Sequence, residues 1–309
     1  MLARLLPILA VALSPLLGGC PGTVERLDKL EPDAEAPPVQ LPVPLRLVDY
    51  NAHDFFDDHL DAAEPVVTTV DYAAKVAAVG AVLASLGGDV VVLQEVENLR
   101  VLDALADGPL ATLGYGTRVL VPGNDASGIQ IGVLSRRPFD RVVSHAADRF
   151  DRPSGAGTTS YARDCLELHL RVNGRHLALL GVHFKAKSPP DDADRRLAEG
   201  LHTRAIADSI AASDPSVAIA ILGDFNDLPG SPPLLAVAGA APDLYVDVAT
   251  QVADAWSYDY QGAHQLIDHQ MVSPRLFGWL EAGSVMMLHG AEADLASDHA
   301  PVAATYDVP

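Results

Sequence analysis

Apolar positions along this chain fall into short uninterrupted runs that alternate with longer amphipathic segments. A short apolar run rich in β-branched residues predicts a buried strand, whereas apolar positions spaced three and four apart predict a helix. On these criteria the predicted strands are Leu45–Tyr50, Asp89–Leu93, Tyr161–Val172, Arg175–Phe184, Val217–Leu222, Gln265–Val272 and Ala300–Tyr306. The predicted helices are Tyr72–Leu86 and Ala193–Ala212.

The order of these elements predicts an α/β (α+β) fold. Asn173-Gly174 joins two predicted strands and is the strongest short signal for a β-hairpin. Many strands with few helices favour mixed sheets that carry their helices on the outer faces. No fixed-period repeat is visible, and no Pro/Gly-rich linker divides residues 45–309. We therefore expect one domain over 45–309.

The first 19 residues have the pattern of a secretory signal peptide. Basic Arg4 precedes the apolar run Leu5–Leu17, which is too short to span a bilayer comfortably. The ending Leu17-Gly18-Gly19-Cys20 resembles a bacterial lipobox, in which the cysteine is acylated and becomes the new N-terminus. The alternative is an ordinary cleaved signal followed by an incidental cysteine. The lipobox interpretation implies lipid attachment at Cys20 and an extracytoplasmic address in the bacterial cell envelope.

Residues 20–44 predict a tether between that anchor and the domain. They contain six prolines with five acidic residues among them. Proline-rich segments act as extended, semi-rigid spacers. We thus expect a membrane partner through the lipid and an otherwise monomeric protein.

Composition narrows the class of protein. The 309 residues are 49% hydrophobic, which is too apolar for a disordered chain. Two cysteines, Cys20 and Cys165, cannot form a disulfide framework, and Cys165 is expected to be a small packed side chain. The formal net charge of −20 by itself argues against a polyanionic partner.

Candidate chemistry lies in polar residues that follow apolar strands. They are Asn51, Glu95, His183, Asp224 with Asn226, Asp268, and Asp298 with His299. Each segment alone is weak evidence, since Asp and Asn also favour ordinary turns. Together they offer carboxylate and amide oxygens, which hard divalent cations prefer, and imidazoles for acid–base work. No cysteine pattern or His-x-x-His spacing indicates zinc, so Mg²⁺- or Mn²⁺-dependent phosphoester hydrolysis fits better.

The ordered set of motifs resembles the endonuclease/exonuclease/phosphatase superfamily, the deoxyribonuclease-I-like fold. The motifs are Asn51, Gln94-Glu95, His183, Gly223-Asp224-Phe225-Asn226, Ile267-Asp268-His269 and Ser297-Asp298-His299. The segments 182–187 and 256–262 are most similar to secreted bacterial nucleases. The resemblance covers essentially all of 45–308 and implies a four-layer αββα sandwich with the active site at one rim.

The resemblance also implies roles for individual residues. Glu95 would be the main metal ligand, supported by Asn51 and Asp298, with Mg²⁺, Mn²⁺ or Ca²⁺ as the ion. Asp224 and Asn226 would orient or deprotonate the attacking water. His299, steadied by Asp268, would bind the phosphate, and His183 would protonate the leaving oxygen or stabilise the transition state. Arg163 resembles the family's phosphate-contacting arginine, although a surface arginine is an equal alternative.

Several histidines depart from this pattern. His53 stands where many relatives carry an acid or amide, and His183 has no evident carboxylate partner. The remaining histidines lack a motif and are expected to be surface or structural groups; they are His59, His145, His169, His176, His202, His264 and His289.

The substrate class stays open between several phosphate compounds. Residues 136–187 hold ten Lys/Arg against five acids, which is either a phosphate-backbone footprint or a set of solvated strand faces. A nuclease of DNA or RNA is the first expectation. A sphingomyelinase-like phosphodiesterase or a phosphatase is the alternative, and no exposed aromatic hairpin that would favour the former is evident. A non-catalytic binding lipoprotein would not need this set of acids, amides and imidazoles.

Overall fold

A computed structural model describes residues 41–60, 65–188 and 190–309. The predictions for the signal peptide, for Cys20 and for all but the last residues of the tether lie outside the described residues and stay predictions. The first strand begins at Val43, just before the predicted domain start.

Strands dominate the described residues. In chain order they are β1 (Val43–Phe55), β2 (Val90–Val96), β3 (Thr117–Leu120), β4 (Gln130–Ser135), β5 (Arg141–Ser144), β6 (Phe150–Asp151), β7 (Thr158–Thr159), β8 (Cys165–Val172), β9 (Arg175–His183), β10 (Ala218–Asp224), β11 (Val246–Asp247), β12 (Tyr258–Tyr260), β13 (Ala263–Gln265), β14 (Asp268–Val272), β15 (Met286–Met287) and β16 (Val302–Val308). One sheet has the order β15-β16-β1-β2-β4-β3 and the other β11-β14-β10-β9-β8-β5. The pairs β6–β7 and β12–β13 are separate hairpins.

Helices cover the outer faces of the two sheets. They are α1 (Thr69–Leu86), α2 (Leu99–Asp107), α3 (Ala193–Ser213), α4 (Pro232–Ala238), α5 (Pro274–Phe277) and α6 (Ala291–Asp294). Both predicted helices are confirmed. Helix α1 begins earlier than predicted because the Thr68 hydroxyl accepts the Asp71 N–H, and it ends where Gly87 adopts the left-handed conformation.

Three buried clusters fix the order of the layers. Alternating residues of the two sheets, such as Leu47 and Leu179, form the central cluster between them. A second cluster packs α1 and α2 against the first sheet, and a third packs α3 and α4 against the second. The layers are therefore helix, sheet, sheet, helix, which confirms the predicted αββα sandwich. By length and composition α1 could cross a membrane, but Val79 and Leu83 on its inner face belong to the core.

Two predicted strands were wrong at their ends. The strand predicted from Tyr161 begins only at Cys165, because the Ala162 N–H bonds to the buried Glu199 carboxylate instead of a neighbouring strand. The strand predicted over 265–272 is interrupted, because the Ser257 hydroxyl takes the N–H groups of residues 267 and 268. Helices α2, α4, α5 and α6 and the strands β3 to β7, β11, β12 and β15 had not been predicted.

Each sheet is built around one parallel pair joined by a helix. In the first sheet β1 and β2 are connected through α1, and in the second β9 and β10 are connected through α3. Parallel strands joined by a crossover point the same way, so the carboxyl ends of each pair lie at one edge. Those four strand ends carry Asn51, Glu95, His183 and Asp224, four of the predicted site residues.

Candidate active site

A cavity of about 590 Å³ opens where the carboxyl ends of β1, β2, β9 and β10 meet. Most of the residues predicted from the sequence line it: Glu95, Arg163, His183, Asp224, Asn226, Asp298 and His299. Asn51 and Asp268 are fully buried behind the lining and hydrogen-bond to Asp224 and His299 respectively. The structure thus brings together every predicted site residue except Cys20, which lies outside the described part of the chain.

Glu95 occupies a strained position at the end of β2. Its φ is +61°, at a register shift between β2 and β4, and a side chain in this conformation costs about 1–2 kcal/mol. Oε1 accepts the Asn51 amide at 3.1 Å, and Oε2 accepts the Asp54 N–H at 2.8 Å. Among the described residues no Lys or Arg forms an ion pair with it. The carboxylate therefore keeps lone pairs free toward the cavity.

The charge of the cavity favours a divalent cation. Its lining carries four acids, Asp54, Glu95, Asp224 and Asp298, against Arg163, Lys187 and the charged imidazole of His299. Carboxylates repel a phosphate unless a cation offsets them, and carboxylate oxygens are the donors that Mg²⁺ and similar ions take. The residues present therefore fit a hard divalent metal.

A second group of ligand atoms, from Asp224, Asp268 and His299, lies within 4.8 Å of one another. In that group the His299 Nδ1 and an Asp268 oxygen already form a 2.7 Å hydrogen bond. That bond occupies one oxygen of Asp268, while its buried Oδ1 has no hydrogen-bond partner among the described residues. Glu95, which lines the cavity itself, is the better candidate for the principal metal ligand.

Asn51 connects the two sheets at this rim. Its Nδ2 lies 3.1 Å from carboxylate oxygens of both Glu95 and Asp224, while its Oδ1 accepts the His53 N–H at 2.9 Å. The His53 donor fixes which end of the amide faces the carboxylates. Asn51 therefore presents nitrogen to them, an arrangement that favours orienting the carboxylates over binding a metal directly.

Asp224 ends β10 and is fully enclosed. Burial and the charge of Asp268 raise the pKa of Asp224 above the usual range of an aspartate. Asn226 holds both of its oxygens, through its N–H at 2.7 Å and its side-chain amide at 3.1 Å. A fixed carboxylate with a raised pKa suits proton abstraction from water.

Of the three histidines that line the cavity, His183 and His299 differ in charge. Burial alone would lower the pKa of His299, but the charge and hydrogen bond of Asp268 outweigh it and raise that pKa to about 10. Burial and the charges of Arg163 and His299 hold the pKa of His183 well below its usual value. His299 is therefore an imidazolium at neutral pH and His183 a neutral ring. His183 Nε2 lies 3.5 Å from Asp224 and has no closer carboxylate among the described residues.

Arg163 reaches the cavity from the loop before β8. It forms a 2.7 Å ion pair with Asp125 and donates to the Phe184 carbonyl at 3.0 Å. Of the ten basic residues in 136–187, Arg163 and Lys187 line the cavity. Lys187 is also ion-paired with Asp227. Four of the others form the pairs Arg136–Asp89, Arg141–Glu167, Arg152–Asp192 and Arg171–Asp140. This pairing favours the interpretation of the basic stretch as ordinary strand faces.

His53, the departure from the family pattern, also lines the cavity. Its Nδ1 lies 2.8 Å from an Asp298 oxygen, and that hydrogen bond raises the pKa of His53. The same Asp298 oxygen lies 4.0 Å from His299 Nε2. Asp298 is therefore engaged by two imidazoles.

Most of the other histidines are structural. His145, His169, His176 and His202 form one hydrogen-bonded chain with Asp148, Glu167 and Asp214 outside the cavity. His264 and His289 stack on Trp256, whereas His59 is exposed.

A family model described as the endonuclease/exonuclease/phosphatase family matches residues 49–288, more than half of the chain. The chain belongs to this family. A search of curated proteins finds no match.

Solved structures of the endonuclease/exonuclease/phosphatase family share its fold at low sequence identity. The human nocturnin catalytic domain with bound sulfate aligns with a TM-score of 0.61 at 15% identity, over 85% of this chain and 94% of that one. ANGEL2, described as a 2',3'-cyclic phosphatase, aligns at 0.59 and 14%, over 86% and 95%. D. rerio TDP2 complexed with single-strand DNA product aligns at 0.56 and 16%, over 86% and 99%.

In this family member several residues that hold the site were not predicted from sequence. The hydroxyl of Ser257 accepts the N–H groups before and at Asp268. Both oxygens of buried Glu199 on α3 accept backbone N–H groups, from Ala162 beside Arg163 and from Lys185. Their partners are distant in the sequence, so no local pattern could indicate them.

One expectation about surface features needs correction. No exposed aromatic hairpin had been expected, yet the hairpin β12–β13 carries Tyr260, which is 52% exposed. Its turn is Gln261-Gly262. A polar tip of this kind does not favour insertion into a membrane.

Proposed function

We propose that this protein is a divalent-metal-dependent phosphodiester hydrolase that cleaves nucleic acid outside the cytoplasm. The observation that carries the proposal is one cavity that combines a carboxylate with no Lys or Arg partner in the described part of the chain, a buried aspartate and two histidines of different charge. These are Glu95, Asp224, His183 and His299. Together they supply the positioning and electrostatic stabilisation that phosphoryl transfer needs.

The protein's own groups divide the reaction among them. Asp224, held by Asn226, takes the proton of the attacking water. His299, charged because of Asp268, binds the phosphate oxygens and stabilises the charge that develops on them. Neutral His183 donates a hydrogen bond to the phosphate or to the leaving oxygen.

Glu95 would hold the metal, with Asp298 close by. Bound there, Mg²⁺ or Mn²⁺ would neutralise phosphate charge as a Lewis acid, and Ca²⁺ is a third candidate. Direct binding is measurable without turnover, by calorimetric titration of the protein with Mn²⁺. Glu95→Gln, which keeps the shape and removes the charge, should weaken that binding strongly.

Nucleic acid is favoured over other phosphodiesters by two arguments. One structural neighbour, D. rerio TDP2, was solved with a single-strand DNA product. The segments 182–187 and 256–262 are also most similar in sequence to secreted nucleases. The lipobox-like ending at Cys20 supports lipid anchoring in the cell envelope. On that proposal Cys20→Ser should release the protein from the membrane fraction.

The decisive experiment presents the purified protein with single-stranded and plasmid DNA, RNA, sphingomyelin and a 2',3'-cyclic nucleotide, each with Mg²⁺, Mn²⁺, Ca²⁺ or EDTA. We expect metal-dependent cleavage of nucleic acid. His183→Ala removes one catalytic group and should lower kcat by about 10²-fold or more. His59 is exposed, and His59→Ala is the matched control that should keep full activity.

Two outcomes would contradict the proposal. Inactivity on every phosphodiester with every metal would remove the catalytic function, as would activity that His183→Ala leaves unchanged. Cleavage of sphingomyelin or of the cyclic nucleotide without cleavage of nucleic acid would replace the substrate class.

A further inference from the structure

The hairpin β12–β13 forms one wall of the active-site cavity. Its register pairs Tyr258 with Gln265 and Tyr260 with Ala263. Because side chains alternate along a strand, Tyr258 and Tyr260 share one face of the hairpin, and both line the cavity with Gln265. Asp259, between them, lines a separate 320 Å³ pocket on the other side. The hairpin thus lies between the two cavities, and its two tyrosines face the active-site cavity.

On the opposite side of the hairpin, beside that pocket, the ring of Trp256 is covered by two histidines. Trp256 lies between the rings of His264 and His289, with both centroid separations at 4.0 Å and interplanar angles of 10° and 21°. Both faces of the indole are therefore covered by imidazoles. Trp256 anchors the hairpin and has no free face for a ligand.

The tyrosines present flat faces beside the phosphate-binding histidine. The ring centroid of Tyr258 lies 4.9 Å from that of His299, and Tyr260 lies 6.4 Å from Tyr258 at an interplanar angle of 29°. The rings of His299, Tyr258 and Tyr260 therefore lead outward from the reacting centre. Tyr260, at the outer end, is about half exposed and has ring surface available.

We propose that Tyr260, backed by Tyr258, stacks on the nucleobase next to the scissile phosphate and thereby makes the enzyme select substrates that carry a base. This proposal rests on the proposed nuclease function. Every base has a π-face, so stacking on an aromatic side chain is a sequence-tolerant way to bind a single strand. The amide of Gln265 on the same wall can add a hydrogen bond to the base edge.

The alternative ligand for such rings is the quaternary ammonium of a choline headgroup. A cage for that cation surrounds it with ring faces from several directions. Tyr258 and Tyr260 are instead within 29° of parallel and present their faces in nearly the same orientation. This arrangement favours a flat ligand.

The test is a double-mutant cycle between the base and the ring. Cleavage of a short single-stranded oligonucleotide is compared with that of the same strand carrying one abasic residue, moved stepwise across the scissile position. The wild type should lose about 5- to 150-fold in kcat/KM when the stacked base is removed, the range of stacking on one side chain. Tyr260→Ala should lower the rate on the intact strand equally and leave the abasic strand unaffected. Tyr260→Phe should retain the preference.

His264→Ala, on the other side of the same hairpin, is the control and should keep the base preference. An equal loss on both strands in Tyr260→Ala would assign Tyr260 a structural role and overturn the proposal. So would a wild type that cuts both strands equally at every position, while the nuclease function would stand. Failure to cut any oligonucleotide would instead remove the nuclease function itself. A loss in Tyr260→Ala that is confined to p-nitrophenyl phosphorylcholine would replace the base with a choline headgroup.

Discussion

Gly223→Ala adds a single methyl group at a position of the active site that has no room for it. Gly223 lies in β10 directly before Asp224, with φ at +149°, a conformation that residues with a Cβ rarely adopt. A Cβ built there would overlap the carbonyl oxygen of Val182 in β9 and would lie 2.8 Å from its carbonyl carbon. Because these atoms are backbone, no side-chain rotation can relieve the overlap.

The expected cost follows from these two effects. An unfavourable φ costs about 1–3 kcal/mol, and forcing an extra carbon into a packed region costs about 1–3 kcal/mol more. The free energy of unfolding should therefore fall by about 2–6 kcal/mol. At about 2–4 °C per kcal/mol for a domain of this size, Tm should drop by about 4–24 °C. The strands must also separate where His183 pairs with Asp224, and a displacement of about 1 Å there should cost about 10²-fold in kcat.

Thermal unfolding followed by circular dichroism, together with kcat on the substrate that the wild type cleaves, measures both effects. Gly230→Ala is the matched control, since Gly230 also has a positive φ, +79°, but has no atom within 4 Å of the added Cβ. It should lose about 1–2 kcal/mol and no activity. If Gly223→Ala melts within 1 °C of Gly230→Ala and keeps its kcat, the close approach of β9 and β10 is not what positions the catalytic pair.

Three further predictions concern groups outside the cavity. Burial alone would lower the pKa of His145, but hydrogen bonds to Glu167 and Asp148 outweigh it and raise the pKa, so the stability that His145 contributes is complete below about pH 6 and is lost as the pH rises through the folded pKa. In urea unfolding from pH 5 to 9, the stability advantage of the wild type over His145→Gln should shrink toward high pH, and a constant difference would contradict this. Glu199→Gln replaces one of the two carboxylate oxygens that accept backbone N–H groups with an amide donor. In chemical denaturation the free energy of unfolding should fall by about 1–3 kcal/mol, and kcat should fall more than KM rises. Unchanged stability would refute a role of Glu199 in holding these two backbone segments. Burial raises the pKa of the Cys165 thiol, so an alkylating reagent should leave Cys165 unlabelled in the native protein and label it in urea. If Cys165 were alkylated as fast in the native protein as in urea, its buried position would be contradicted.

Sequence was sufficient for the parts of the site that depend on local pattern. A buried valine run followed by Glu95, or an apolar strand followed by Asp224, places a polar group at a strand end without any three-dimensional information. The number of polar groups at predicted strand ends, together with the family resemblance, indicated one site. The hairpin at Asn173-Gly174 was confirmed for the same reason, since a two-residue turn is encoded by its own residues.

What the sequence could not indicate depends on distant partners. The left-handed conformation of Glu95 requires its contacts with Asn51 and with the N–H of Asp54, and nothing in the local sequence predicts it. Glu199 looks like one more exposed acid on an alanine-rich helix until its two backbone partners are in place. The exposed face of Tyr260 depends likewise on how its hairpin projects from the fold.

The candidate site belongs to neither sheet alone. Asn51 and Glu95 come from the parallel pair of the first sheet, and Asp224 comes from the parallel pair of the second, yet the Asn51 amide reaches both carboxylates at 3.1 Å. His299 precedes the last strand of the first sheet, and its 2.7 Å partner Asp268 begins β14 of the second. These cross-sheet bonds set the position of Glu95, the proposed metal ligand, relative to Asp224, and they set the charge of His299. They form only while the central apolar layer holds the two sheets in fixed positions relative to each other. Packed interiors transmit strain, so a defect in that layer would displace the side chains at the ends of both sheets. A cavity-forming substitution in that layer, far from the reacting groups, should therefore lower kcat as well as stability, whereas one beneath the outer helices should lower stability alone.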